Sequence, residues 1–340
     1  LALVNSLFLP TIIFLIGLST VITIYLGGIK TIQKELDYGD IVQFIFYINM
    51  LTWPFASIGW VSSLVQRAAA SQKRINEFIK IEEKVINNGV KKLKEIKEIE
   101  FKNVSFKYPS SSDFVLKNIN FKLTSGMTIG IFGKTGCGKS SLAQILCRLY
   151  EINSGEILIN GSSVNDIKLS DFRKKIGYVP QDVFLFSDTI KNNIAFGLNK
   201  TDYEFKDVQS AAKKAGLSSE IENFSKSYET KIGERGVTLS GGQKQRISIA
   251  RALARNPQLL IFDDCLSAVD SETSKKIQKT LNVNKSLAIH ISHKISNISH
   301  CDHIIVLENG QISEEGNHNK LVNKKRFYYE IFKKQQIEEN

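Results

Sequence analysis

Two long stretches near the start of the sequence contain no charged residue. The first runs from residue 1 to residue 29, and the second runs from residue 41 to residue 66. Since a helix needs roughly 20 apolar residues to cross the hydrocarbon core of a bilayer, each stretch is long enough to do so. A helix also satisfies its own backbone hydrogen bonds where no water is present. These stretches predict a hairpin of two membrane helices.

Charges beside these stretches predict how the hairpin is oriented. The intervening turn, residues 30–40, carries both signs, whereas Arg67, Lys73, Arg74 and Lys80 follow the second stretch. Basic residues favour the cytoplasmic side of a membrane, so residue 67 onward is expected in the cytoplasm. A cleaved signal peptide is disfavoured because a second apolar stretch follows the first. A buried hairpin in a soluble core is the remaining alternative.

The rest of the chain is rich in charge, and the whole sequence carries a net charge of +11. A Lys-rich cytoplasmic surface accounts for this excess, and we expect no nucleic acid as a partner. The four cysteines form no CxxC pair, which favours reduced thiols over metal ligands or disulfides. Because the chain begins at Leu1 within an apolar run, we expect it to be an N-terminally incomplete part of a longer protein.

Sequence patterns after residue 80 predict a linker followed by an α/β domain. Residues 81–97 are polar and rich in lysine, as linkers often are. Alternating apolar positions indicate two half-exposed antiparallel strands in residues 99–108 and 114–123. Largely apolar runs indicate buried parallel strands at residues 127–132, 259–264 and 286–292. We therefore expect a membrane part in residues 1–80 and one α/β domain in residues 98–340.

The segment GKTGCGKS fits the pattern G-x-x-x-x-G-K-[ST] and lies between a predicted buried strand and a predicted helix. In such a phosphate-binding loop, glycines let backbone N–H groups converge on phosphate oxygens, and the helix N-terminus adds positive potential. Lys139 is expected to reach the β- and γ-phosphates, and Ser140 is expected to bind Mg²⁺. The residues expected to surround the phosphates are Gly133, Lys134, Thr135, Gly136, Cys137, Gly138, Lys139, Ser140 and Ser141.

A carboxylate at the end of an apolar strand is the usual partner of a phosphate-binding loop. The strand LLIFDD reaches its first carboxylate at Asp263. This residue is expected to hold Mg²⁺, directly or through water. Standing alone, the pattern would be an ordinary strand that ends in a turn. Together with the loop it predicts ATP and Mg²⁺ as the ligands.

The stretch LSGGQ at residues 239–243 completes a set of motifs that resembles the ABC transporter superfamily. The resemblance implies a P-loop NTPase domain of the ABC type, with an antiparallel β subdomain and a helical subdomain. It also implies that this signature lies at a helix N-terminus and contacts the γ-phosphate of an ATP bound by a partner subunit. The signature residues are Leu239, Ser240, Gly241, Gly242 and Gln243.

Further positions match the family one at a time. By this resemblance Tyr108 stacks on adenine, Gln181 senses Mg²⁺ and the membrane domain, and His293 contacts the γ-phosphate. Ser267 and Asp270 match the D-loop, which crosses the dimer interface. Each of these residues alone would be an ordinary residue of a turn, a cap or a strand end.

Two features resemble the exporters within this family. The segment GERG at residues 233–236 resembles their X-loop, and the hairpin resembles the last two membrane helices fused to the cassette. The resemblance implies a multi-pass protein of the cell (plasma or inner) membrane, with its cassette in the cytoplasm. It would export cargo as one half of a dimer. Spans without charge favour a hydrophobic or amphiphilic small molecule, and a lipid or peptide cargo is the alternative.

One residue departs from the family pattern. Members that hydrolyse ATP well carry Glu after the Mg²⁺-binding aspartate, where it orients the attacking water. This chain has Asp264, whose carboxylate is one methylene shorter. By resemblance we expect the degenerate half of a heterodimeric multidrug-type exporter, with slow hydrolysis at its own site. A regulatory, weakly hydrolysing subunit remains an alternative, whereas a DNA-repair ATPase is disfavoured because no long coiled coil interrupts the motifs.

Overall fold

A computed structural model describes residues 2–81, 85, 88–198, 203–237, 239–265 and 286–339. The chain divides into two compact units, Leu1–Glu83 and Lys84–Asn340. The first is a pair of helices. The second contains both sheets and the shorter helices.

The first unit is a helical hairpin formed by α1 (Ala2–Ile32) and α2 (Tyr38–Ile79). In α1 the part Pro10–Ile32 is long and apolar enough to cross a membrane, and so is α2. At a rise of 1.5 Å per residue, the 42 residues of α2 extend about 63 Å, roughly twice the hydrocarbon thickness of a bilayer. The helix therefore continues well beyond one membrane thickness.

The two helices approach closely at one glycine. A Cβ atom added to Gly27 would lie 2.8 Å from Cγ1 of Ile41, whereas nothing lies within 4 Å of a Cβ added to the adjacent Gly28. Small residues let membrane helices pack backbone against side chain in this way. Beyond this contact, the turn carries an ion pair between Lys30 and Glu35 at 3.3 Å.

The second unit is built on two sheets. A four-stranded antiparallel sheet has the order β2-β1-β4-β5, and a six-stranded sheet has the order β10-β9-β3-β8-β7-β6. In the larger sheet β9, β3, β8, β7 and β6 are parallel, and β10 pairs with β9 as an antiparallel edge hairpin. The strands are β1 (Glu98–Phe106), β2 (Leu116–Thr124), β3 (Thr128–Gly133), β4 (Ser154–Ile159), β5 (Ser162–Ser163), β6 (Ile176–Val179), β7 (Leu259–Asp263), β8 (Leu287–Ser292), β9 (His303–Glu308) and β10 (Gln311–Gly316).

Helices cover the larger sheet, and one layer of them shares a core with β6, β7 and β8. The described helices of this unit are α3 (Lys139–Leu146), α4 (Leu169–Lys174), α5 (Ile190–Ala195), α6 (Phe205–Lys214), α7 (Ser218–Asn223), α8 (Gly241–Ala254), α9 (His318–Lys324) and α10 (Phe327–Glu339). Helices α5 to α8 share a core that includes Ile194, Val208, Ala212, Ile221 and Ile247. This layer is the predicted helical subdomain.

Burial follows the sequence patterns from which the strands were predicted. Every residue of β3, β7 and β8 is buried, as expected for parallel strands covered on both faces. In β2 buried and exposed residues largely alternate, as expected for a sheet with one covered face. The predicted antiparallel pairing of the first two strands is confirmed, with Phe101 opposite Phe121. All four cysteines are buried and free.

Most of the segment predicted as a linker, residues 81–97, belongs to the second unit, and its described residues pack against the rest of that unit. A Cβ atom on Gly89 would lie 2.2 Å from the carbonyl oxygen of Ile167, so only glycine fits this approach. The backbone N–H of Ile96 donates to Oε1 of Gln258 at 2.8 Å, and Ile96 is buried. The predicted domain boundaries at residues 80 and 97 stay predictions.

The close contact at Gly27 yields a test with a neighbouring control. We expect Gly27→Leu to overpack the hairpin against Ile41 and to lower its stability by about 1–3 kcal/mol. Gly28→Leu adds the same side chain where no atom lies nearby. Thermal unfolding in detergent would measure both variants. Equal melting temperatures would show that the helices do not pack at Gly27.

Candidate nucleotide-binding site

One cavity of about 390 Å³ brings most of the predicted site residues together. It lies where β3, β7 and β8 end, because neighbouring parallel strands present their carboxyl ends at the same edge of a sheet. The residues that line it are Tyr108, Val115, Thr135, Gly136, Gly138, Lys139, Ser140, Ser141, Gln181, Asp263, Asp264 and His293. Residues from five separate sequence segments thus meet at one place.

The phosphate-binding loop depends on two glycines for its path. Gly138 caps α3 in a left-handed conformation, with φ at 103°, which favours glycine. A Cβ atom on Gly133 would lie 2.4 Å from the carbonyl oxygen of Leu307 and 2.6 Å from Sγ of Cys137. Larger residues at these positions would push the loop away from the sheet. The buried Cys137 fills the space beneath it, and burial raises the pKa of its thiol.

Lys139 is held by the loop itself. Its Nζ atom donates to the carbonyl oxygens of Gly133 at 2.8 Å and of Lys134 at 2.9 Å. These bonds place the ammonium group close to the first turn of α3, whose N-terminal N–H groups supply further positive potential. Positive charge and backbone donors therefore converge on one side of the loop, as phosphate binding requires.

The Asp263 carboxylate is the most deeply buried polar group of the site, with 2% of the residue exposed. Ser140 donates from Oγ to Oδ1 at 3.0 Å, and Tyr178 donates from its hydroxyl to Oδ2 at 3.2 Å. Burial raises the pKa of Asp263, the two hydrogen bonds lower it, and the charge of Asp264 raises it. Burial also raises the pKa of Tyr178, so this hydroxyl keeps its proton and remains a donor.

Ser140 and Asp263 fit the Mg²⁺ ion expected from the sequence. Within the described ranges, no group of three or more His, Cys, Asp or Glu side chains could hold a metal ion by itself. Mg²⁺ commonly binds through one or two protein oxygens, substrate phosphates and water rather than in an all-protein cage. A hydroxyl and a carboxylate 3.0 Å apart suit that mode of binding.

Asp264 contacts Ser292, the last residue of β8, and His293, which follows it. Its backbone adopts φ of 49°, in the left-handed region that Asp and Asn tolerate better than most residues. Its Oδ2 lies 2.5 Å from Nδ1 of His293, and its Oδ1 accepts a hydrogen bond from Oγ of Ser292 at 3.2 Å. The structure thus joins two residues that the sequence analysis assigned to catalysis on separate motifs.

Tyr108 lies at the opposite wall of the cavity. Its hydroxyl donates to Oε1 of Gln144 at 2.9 Å and lies 2.9 Å from Oγ of Ser141. Its ring packs edge-on against Phe106 and Tyr150, with centroids 4.9 and 5.2 Å away. The ring is therefore fixed in orientation. Its predicted stacking on adenine stays a prediction, as does the role of the exposed Gln181.

The signature segment begins helix α8, as predicted. Ser240 is the N-cap: its Oγ accepts from the N–H of Gln243 at 3.2 Å, and its own N–H donates to Oε1 of Gln243 at 3.0 Å. Glu220 braces this turn, accepting from Nε2 of Gln243 and pairing with Arg246 at 2.6 Å. Ser240 and Gly241 are exposed. Among the described residues that line the cavity, none belongs to the signature.

Several contacting residues were not predicted from the sequence, namely Tyr178, Ser292, Gln144 and Tyr150. Each is distant in sequence from its partner, and no local motif marks it. The predicted D-loop residues Ser267 and Asp270 lie outside the described residues.

Comparison with known proteins supports the resemblance seen in the sequence. The family model described as ABC transporter matches residues 116–267, which include the loop, the signature and the Asp263 strand. Over these residues the chain is similar to the ABC transporter family. The predicted fold, helices with candidate membrane spans followed by an ABC-type α/β cassette, is confirmed by a solved structure titled "Structure of a bacterial Atm1-family ABC exporter with ATP bound". That structure is 32% identical, has a TM-score of 0.76, and is matched over 97% of this chain and 59% of its own.

Two curated relatives match nearly the whole chain. A probable multidrug resistance ABC transporter ATP-binding/permease protein of Bacillus subtilis, YheI, is 41% identical over 99% of this chain and 58% of its own length. The multidrug resistance-like ATP-binding protein MdlA of Escherichia coli is 36% identical over 98% of this chain and 57% of its own length. The chain thus spans somewhat more than half the length of these relatives.

The hydroxyl of Tyr178 offers a test of the metal site. We expect Tyr178→Phe to weaken the Mg²⁺-dependent part of ATP binding by about tenfold, because losing an outer hydrogen bond to a metal-binding carboxylate commonly costs this much. ATP binding without Mg²⁺ should change little. Titration of a fluorescent ATP analogue with and without Mg²⁺ would measure both quantities. Tyr203→Phe, which removes a hydroxyl in the helical layer, is the matched control. Equal Mg²⁺ dependence in the two variants would contradict a role for Tyr178.

Proposed function

We propose that this chain is part of one half of an ATP-driven exporter that pairs head to tail with a second half. The observation that carries this proposal is the cavity in which loop, Asp263, Asp264 and His293 meet, in a chain whose other unit is an apolar helical hairpin. The relatives described as ATP-binding/permease proteins support the same combination of activities.

ATP would bind with its phosphates along the glycine loop. Lys139 would exchange the carbonyl oxygens of Gly133 and Lys134 for phosphate oxygens, which attract its ammonium group more strongly. Ser140 and Asp263 would hold Mg²⁺, which when bound supplies positive charge against the phosphates. The fixed ring of Tyr108 would offer its face or edge to the adenine.

The separation of the signature from the cavity supports a dimer. Ser240 and Gly241 are exposed at the N-terminus of a 14-residue helix, and a Cβ atom on Gly241 would meet nothing within 4 Å. A helix N-terminus of this kind binds anions. In a head-to-tail pair it would face the γ-phosphate on the partner's loop. Ser267 and Asp270 are proposed to lie at the same interface.

The geometry of Asp264 supports slow hydrolysis at this chain's own site. Both of its carboxylate oxygens have partners in the wall of the cavity, since one contacts His293 and the other accepts from Ser292. A base that orients water must present an oxygen to that water. We therefore propose a heterodimer in which the partner supplies the faster site and this chain's signature completes it.

The uncharged helices also support a proposal for the cargo and for the cellular location. The uncharged spans favour a hydrophobic or amphiphilic small molecule in a multi-pass protein of the plasma or inner membrane, with the cassette in the cytoplasm. A lipid or peptide cargo is the alternative. A regulatory subunit that hydrolyses weakly is a second candidate, and the engaged carboxylate of Asp264 is the observation that favours it.

Replacing Asp264 tests the assignment of the slow site. We expect Asp264→Glu to raise the ATPase rate of the assembled transporter at least about threefold, because the longer side chain extends past Ser292 toward the cavity. The left-handed backbone will offset part of this gain, since Glu adopts it less readily than Asp. Asp264→Asn is the matched control, as it keeps the shape and removes the charge.

ATP turnover would be measured for the unmodified chain, Asp264→Glu and Asp264→Asn, each purified with and without its partner half. The same measurement would be made on an assembly in which the partner's equivalent carboxylate is changed to an amide. If Asp264 supports full turnover in a homodimer, and Asp264→Asn abolishes it, the heterodimer with a slow site is wrong. If ATP binds but no assembly hydrolyses it, the regulatory alternative replaces the exporter.

A further inference from the structure

Helix α10 contacts the turn that carries His293. The side-chain amide of Gln335 bridges this turn: its Nε2 donates to the carbonyl oxygen of His293 at 2.8 Å, and its Oε1 accepts from the backbone N–H of Ile295 at 2.8 Å. Both distances are those of good hydrogen bonds. One side chain thus satisfies a donor and an acceptor on either side of Lys294.

The pairing also fixes which way the amide faces. A backbone carbonyl can only accept and a backbone N–H can only donate. A reversed amide would place its oxygen against the carbonyl of His293 and its NH₂ group against the N–H of Ile295, and neither pair could form a hydrogen bond. Of the side chains long enough to reach this turn, glutamine alone offers both groups at one end. The contact therefore depends on the chemistry of Gln335 and not only on its size.

His293 has little else to hold its position. Its side chain is 49% exposed, and its ring contacts the cavity wall through the 2.5 Å approach to Asp264. The backbone of the turn is held from the sheet side by Ser292, whose Oγ accepts from the N–H of Lys294 at 3.1 Å. Gln335 holds the same turn from the opposite side, so the direction of the imidazole depends on both contacts.

The helix that carries Gln335 is firmly attached to the sheet. Tyr328 is fully buried, its hydroxyl lies 2.8 Å from Nδ1 of His318, and its backbone N–H donates to Oε1 of Glu314 at 3.1 Å. Its ring packs against Phe132, in the strand that enters the phosphate-binding loop, with centroids 5.6 Å apart. At 1.5 Å per residue, Gln335 lies about 10 Å along the helix from this anchor.

We propose that Gln335 is a positioning residue for ATP hydrolysis, holding the His293 turn so that the imidazole points toward Asp264 and the cavity. The inference rests on the proposed function of the site, and it adds a residue of α10 that touches neither nucleotide nor metal. A change that tilts α10 would reach the His293 turn through this amide.

Two substitutions separate the hydrogen bonds of Gln335. Gln335→Met keeps similar length and removes both bonds. Gln335→Glu keeps the acceptor for Ile295 and places a second acceptor against the carbonyl oxygen of His293. Lys334→Ala, at the adjacent exposed position of the same helix, is the control. All variants are made in the full-length transporter assembled with its partner half.

In an assembly whose partner site is inactivated by its carboxylate-to-amide change, turnover comes from this chain's own site. There we expect Gln335→Met and Gln335→Glu to lower kcat about threefold to tenfold with little change in KM for ATP, since one or two neutral hydrogen bonds are lost. Hydrogen exchange of the Ile295 amide should become faster by a similar factor in Gln335→Met and stay near the native rate in Gln335→Glu. The melting temperature should match that of Lys334→Ala. In a His293→Ala background, Gln335→Met should have no further effect on kcat.

Other outcomes would overturn this role. Unchanged kcat in both variants, or an equal loss of kcat with and without His293, would show that Gln335 does not act through the histidine. Exchange that quickens along all of α10 with a lowered melting temperature would make its role one of stability. Failure of the proposed function is separately visible as Mg·ATP binding without turnover in the unmodified transporter. In that case the exchange rate of the Ile295 amide still decides whether Gln335 holds the turn.

Discussion

The buried carboxylate of Asp263 is the constraint on which the rest of the site depends. An ionised group with 2% exposure is costly unless donors surround it, and here Ser140 and Tyr178 each supply one hydroxyl. These two bonds tie the end of β7 to the start of α3 and to the neighbouring strand β6. The glycine loop, the sheet edge and the cavity wall are thereby held in one arrangement, and a phosphate-bound cation would meet an oxygen pair that is already oriented.

Two adjacent carboxylates have different partners because the backbone turns between them. Asp263 ends an extended strand and faces the loop, whereas Asp264 adopts a left-handed conformation and faces His293. Burial is the main cause of the raised pKa of Asp263, and the neighbouring charge of Asp264 adds to it. Asp264, Ser292, His293 and Gln335 therefore form one set of contacts, and Ser140 and Asp263 form another that shares no residue with it. This division would let the first set vary while the binding of nucleotide is kept.

Local patterns in the sequence predicted the strands and the binding loop, because both depend on residues close together in the chain. Alternation predicted the two half-exposed strands that contain Phe101 and Phe121, and the spacing of glycines predicted the turn before Lys139. The partners of these residues could not be predicted in the same way. Tyr178 lies 85 residues from Asp263, and Gln335 lies 42 residues from His293, so only the folded sheet brings them together. The resemblance to a family assigned roles to single residues, but it did not show that Asp264 and His293 touch.

The left-handed backbone at Asp264 also bears on how such a site changes over generations. Codons for aspartate and glutamate differ only in their third base, so a single nucleotide separates the two residues. Aspartate adopts the conformation at φ of 49° more readily than glutamate does. A change from glutamate to aspartate here would therefore strain the backbone less than the reverse change. A site of this shape would drift toward the short carboxylate wherever selection on turnover is relaxed. Loss of speed at one nucleotide site would then be an easily reached state of the gene, without any rearrangement of the cassette.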